Sequence, residues 1–178
     1  PSEDLPPIEC YAEPFENPEG QPIVSIVLLD SREDGATIDM PGRFPYPVSI
    51  AVPVDHPDAA ARMRRYRDAG FEVLALAALP EGATPADLET LAAAWQQAVP
   101  EAVAIMERPP HRLQSDRAMG EQLASILAES GQGLLLFPDG LDTTRKLAAR
   151  KGVPAATVFR DLDSEGQGGS VVRRFLDH

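Results

Sequence analysis

Asp30 closes the apolar run Ile23-Val24-Ser25-Ile26-Val27-Leu28-Leu29, and a lone carboxylate in that place is a chemical signal. Folds of alternating strands and helices set metal ligands and catalytic groups at the C-terminal ends of their strands. A carboxylate there can help hold a divalent metal, whose bound water becomes a nucleophile near neutral pH. Partners for it are few. The chain has three histidines, His56, His111 and His178, and none stands at a ligand spacing from another. Asp55 and His56 follow the next strand on the same face, so they can join Asp30 in one site. Each residue also has a plainer reading. Asp30 caps a turn or pairs with an arginine such as Arg108, His56 caps the helix that starts at Pro57, and His111 is an exposed loop histidine.

The elements that must carry these residues follow from the spacing of apolar side chains. Residues 23–29 are continuously apolar apart from Ser25, as in a strand buried on both faces. A second strand is expected over 46–52 and a helix over 57–69, with Pro57 in its first turn, Asp58 near the N-terminal dipole and Gly70 as stop. Residues 71–77 read as the third strand. Thr84-Pro85-Ala86-Asp87 is a capping box with Asp in place of Glu, opening a helix that Pro100 ends. A short strand over 102–106 precedes a helix capped by Ser115, carrying Met119, Leu123, Ile126 and Leu127 and closing near Gly131. Strand 134–137, helix 143–151, strand 155–159 and a last helix over 170–176 complete the series.

Six such β/α units imply an α/β fold with a mostly parallel sheet and helical crossovers, which either an open doubly wound sheet or a (β/α) barrel would satisfy. Because the chain stops in a helix, an incomplete or distorted (β/α) barrel lacking its last strand is expected. On these elements Trp95 falls in the core with Leu88 and Leu91, and Asp139 and Asp142 flank a turn at Gly140. Asp161 and Asp163 form a polar rim that a sugar could use. Arg62, Arg64, Arg65 and Arg67 make a solvated helix face.

The bulk numbers narrow the function. One domain fits 178 residues, and 43% hydrophobic with 25% charged residues is globular composition. Residues 1–22 carry six prolines among acids and read as a lead-in or linker to a domain over 23–178. A net charge of -12 argues against nucleic acid or an anionic membrane as partner, since both require a basic footprint. Cys10 alone makes neither an internal disulfide nor a cysteine zinc site. No stretch approaches the roughly 20 apolar residues of a membrane span. Pro1 as first residue is read as a sign of a processed or trimmed chain.

Several segments taken together carry a family resemblance. They are the strand ending in Asp30, Pro47-Val48-Ser49-Ile50-Ala51-Val52, Ala69-Gly70-Phe71-Glu72-Val73-Leu74 and Val99-Pro100-Glu101-Ala102-Val103. Ser115-Asp116-Arg117, Lys151-Gly152-Val153-Pro154 and Val158-Phe159-Arg160-Asp161 follow in order. Over roughly residues 22–163 the chain resembles the divergent polysaccharide deacetylases, distant relatives of the metal-dependent esterases that remove N-acetyl groups from sugars. The resemblance implies a distorted (β/α) barrel, and it exposes departures. Where the family has two aspartates, this chain has Leu29 and Asp30. The family's histidine after the third strand is missing from Leu74-Ala75-Leu76-Ala77-Ala78-Leu79-Pro80. In Glu107-Arg108-Pro109-Pro110-His111, Arg108 takes the place of another histidine, and a fixed positive charge there repels a divalent ion.

With those losses, the resemblance implies a pseudoenzyme of carbohydrate metabolism. It would be a degenerate deacetylase-like protein without a cofactor, binding a glycan or an envelope partner through the face around Asp30 and Arg108. The alternative is an active hydrolase of C–N amide bonds. There Asp30, His56 and His111 would hold Zn, Asp55 would act as base and Arg108 would stabilise the oxyanion. In a third arrangement, residues outside this chain would supply the missing strand. Family members are commonly exported, so a periplasmic or exported location is expected from the resemblance.

Overall fold

Side chains along a strand alternate between its two faces, and in this chain both faces are apolar. In the structure, a computed structural model that describes residues 5–30 and 46–162, this yields a fully parallel sheet with its longer helices on the outer side. Its strands among the described residues are β1 (Val27–Leu29), β2 (Ser49–Pro53), β3 (Glu72–Ala77), β4 (Ala104–Glu107), β5 (Gly133–Leu136) and β6 (Ala155–Thr157). They pair in sequence order, β1-β2-β3-β4-β5-β6, and the sheet curls into a half-barrel. The helices are α1 (Pro7–Cys10), α2 (Ala59–Asp68), α3 (Pro85–Ala98), α4 (Arg117–Ser130) and α5 (Thr143–Arg150). This is the incomplete (β/α) barrel expected from the alternation.

Two cores follow from the pleat. Ile50, Val52, Val73, Ala75, Ala77, Ile105, Leu134 and Leu136 point outward and bury Met63, Tyr66, Leu88, Trp95, Leu123 and Leu127 of the helices against them. Their neighbours Ala51, Leu74, Leu76, Ala104 and Met106 point inward and form a smaller cluster in the hollow of the half-barrel. Trp95 is therefore a core residue, as its helical spacing with Leu88 indicates.

The N-terminal lead-in carries a docked turn. Ile8 and Tyr11 pack on the inner cluster, and the Ile8 N–H donates to the Gly131 carbonyl at 3.3 Å. Glycine is required beneath it. A Cβ on Gly131 would lie 2.5 Å from Pro6 Cβ, and one on Gly133 would lie 2.7 Å from Ile8 Cδ1.

Three local expectations are corrected. β1 begins at Val27 rather than at 23 and is not buried on both faces: Ile23 and Val24 lie in the exposed approach to the sheet, at 59% and 78% exposure, and Leu29 is exposed too. α2 begins at Ala59, because the His56 ring accepts the Asp58 N–H at 3.0 Å and closes a turn first. α4 is capped by Asp116 rather than Ser115, since the Asp116 carboxylate accepts the Met119 N–H at 2.9 Å. At α3, the Asp87 carboxylate accepts both the N–H and the hydroxyl of Thr84, at 2.8 and 2.7 Å. Those bonds hold its pKa below the usual carboxylate range. The helix expected over 170–176 lies outside the described residues, as do Asp163 and His178.

Candidate functional site

A parallel sheet gathers the C-terminal ends of all its strands on one rim, and the polar residues of this chain collect there. Asp30 follows β1 directly, its N–H donating to the Ala51 carbonyl at 2.9 Å. Its side chain is fully buried. Arg62 of α2 reaches it, with Nη1 donating to Oδ2 at 2.7 Å. Arg62 and Tyr66 stand four residues apart on one face of α2, so the Asp30 carboxyl meets both. Burial pushes the Tyr66 hydroxyl above its ordinary pKa, and the nearby Asp30 charge raises it further, while Arg65 opposes both. Among the described residues, Asp30 Oδ1 and the Tyr66 hydroxyl are buried without a hydrogen-bond partner.

Asp30 thus pairs with an arginine, but with Arg62 rather than Arg108. Arg62 and Arg67 are correspondingly not part of a solvated stripe. Arg67 binds Glu13 at 2.8 Å and Glu101 at 3.4 Å, tying the lead-in and the start of β4 to α2. The guanidinium is the group that reaches a carboxylate from an adjacent helix and donates along several directions, which is why these arginines face inward.

Arg108 has a different carboxylate. Its Nη2 and Nη1 donate to Asp55 Oδ2 and Oδ1 at 2.9 and 3.4 Å, a forked pair that bridges the segments after β2 and β4. His56 stands beside Asp55 but turns its Nδ1 to the Asp58 N–H. His111 lies in the loop after β4, its Nδ1 3.5 Å from Glu107 Oε2 and its ring centroid 4.6 Å from that of Phe137.

Glu107 is the residue that the sequence reading missed. It is the last residue of β4 and completely buried. Oε1 accepts the Leu113 N–H at 2.9 Å, and Oε2 accepts from Gln114 Nε2 at 2.7 Å. Burial pushes its carboxyl up to about 7, the Asp139 charge adds to that, and the bonds from Leu113 and Gln114 oppose it. The signal was the one that marked Asp30: a single carboxylate closing an apolar run, here Ala102-Val103-Ala104-Ile105-Met106. Ending that strand at 106 placed Glu107 in the loop and hid it.

The rim therefore brings Asp55 and Arg108 together, and Glu107 and His111 together. It engages Asp30, His56 and His111 with three different partners. Among the described residues no group of three or more His, Cys, Asp or Glu side chains is placed to hold a metal ion. Asp139 and Asp142 form the turn before α5, the Asp142 N–H donating to the Asp139 carbonyl at 3.0 Å. Donors and acceptors alternate along the rim: Arg108, Asp55 and His111 are each partly exposed, at 28%, 44% and 36% of their side chains. Such a surface can hydrogen-bond a polar, uncharged ligand along both directions of its hydroxyl groups.

No family model matches the chain, and no curated protein matches it by sequence. Among solved structures it is similar to an uncharacterized protein of Agrobacterium tumefaciens, with a TM-score of 0.75 at 17% identity. The match covers 99% of this chain and 78% of the other, and at that identity it is a likeness of fold.

Proposed function

We propose that the protein is a polysaccharide-deacetylase-like member of carbohydrate metabolism that binds glycan on its strand-end rim and does not hydrolyse it. The observation that carries this reading is the Asp30–Arg62 pair, fully buried on the carboxylate side at 2.7 Å. A guanidinium from α2 occupies the carboxylate that a metal would require, and exchanging it for a divalent ion would strand a buried charge. The Asp55–Arg108 pair and His111 remain as the polar surface for hydroxyl and acetamido groups. An envelope protein carrying such groups is the partner of the same chemistry, and an exported, periplasmic setting belongs to this reading.

Proton NMR on the protein with chitotetraose and zinc tests both halves in one sample. Saturation transfer to the sugar protons without growth of an acetate signal is the expected result. Acetate release that disappears in Asp30→Asn would overturn the proposal in favour of a metal-dependent deacetylase.

A further inference from the structure

We infer that Glu107 is the positioning residue of this rim, holding from beneath the loop that presents Arg108 and His111. The inference rests on the binding reading above and gives Glu107 no contact with ligand, since its side chain is completely buried.

The geometry is that of a pin. The near end of the loop is fixed by the sheet, where the Arg108 N–H donates to the Ala77 carbonyl at 2.8 Å. The far end has no strand to hold it before α4. There the two Glu107 oxygens take the Leu113 N–H and Gln114 Nε2, and Oε2 also stands 3.5 Å from His111 Nδ1. One carboxylate thus gathers three polar groups from residues 111, 113 and 114. Gln114 Nε2 then donates onward to the Phe137 carbonyl at 2.9 Å, and the Phe137 ring lies against His111. Between these fixed ends project Arg108, already forked onto Asp55, and His111.

A carboxylate is an expensive way to fill this volume. Burying its charge carries a desolvation penalty that an apolar residue like Met106 would avoid. It is balanced where several donors from one loop converge, because each would be stranded without an acceptor. An amide in its place would set its own NH2 against the NH2 of Gln114, donor facing donor.

The test follows from that polarity. Glu107→Gln should speed native-state trypsin cleavage at the Arg112–Leu113 bond about tenfold, the size expected from one stranded buried donor. Cleavage at other sites should be unchanged, and affinity for chitotetraose should fall by a similar factor. If Glu107→Gln does not fold, Gln114→Ala, which leaves the carboxylate in place, should show the same local cleavage. A loop as protected in the variants as in the wild type overturns the inference. Absence of chitotetraose binding to the wild type overturns the binding reading alone, and the cleavage series still decides whether Glu107 pins the loop.

Discussion

The Asp30 carboxylate and the Arg62 guanidinium share one low-dielectric site, where each cancels the cost of burying the other. Arg62→Met would leave Asp30 buried and unpaired, and should destabilise the protein by about 3–5 kcal/mol. Arg62→Met combined with Asp30→Leu should recover most of that loss, because no charge is then left inside. Urea unfolding of the two variants measures both numbers, and a single-variant cost below about 1 kcal/mol would place the pair among exposed ones. Glu107 makes the opposite contribution. The folded protein keeps its proton up to about pH 7, whereas an unfolded chain releases it near the ordinary glutamate value of 4.5. Across that window the folded state binds more protons, so stability falls as pH rises, by up to about 3 kcal/mol, and levels off above it. Glu107→Gln should remove this slope in unfolding experiments run between those pH values. An unchanged slope would mean that Glu107 ionises as an exposed glutamate does.

At the scale of elements, α2 holds the rim and the N-terminal turn closes the other end of the hollow. Four arginines on a ten-residue helix read as a solvated stripe, because no short-range pattern tells an arginine facing water from one facing a carboxylate on another element. Arg62 and Arg67 are paired with Asp30, Glu13 and Glu101, residues 32, 54 and 34 positions away in sequence. That long range is why the pairings were not legible. The helix caps and stops were legible where one residue decides them, as at Thr84 and Gly131, and slipped by one residue where Ser115 and Asp116 compete. Gly131 also sustains a testable contact. It has a φ of 72°, and its missing Cβ makes room for Pro6. Gly131→Ala should cost about 1–2 kcal/mol for the left-handed backbone and more for displacing the turn. In a chain deleted through Ala12 only the backbone part should remain. Equal costs in both backgrounds would show that the turn does not bear on Gly131.

For the whole molecule, the continuous apolar runs announced the parallel sheet, and the central strands β2, β3 and β4 are indeed covered on both faces, whereas the edge strand β1 is partly exposed. The sequential strand order and the open half-barrel agree with the β/α alternation, and the two-sided core explains why Leu76 and Met106 are as buried as Val73 and Ile105. Asp30 was visible as a site residue because it ends such a run. Its engagement by Arg62, and the role of Glu107, depend on how helices and loops meet the strand ends, which no local pattern records. The Asp30–Arg62 pair neutralises the carboxylate that closes β1, and on the proposed reading the rim beside it binds its ligand without a metal. The most direct test is the zinc content of the protein after dialysis against trace zinc. The account predicts no stoichiometric zinc, in the wild type and in His111→Ala alike. One zinc per chain, lost in His111→Ala, would contradict it.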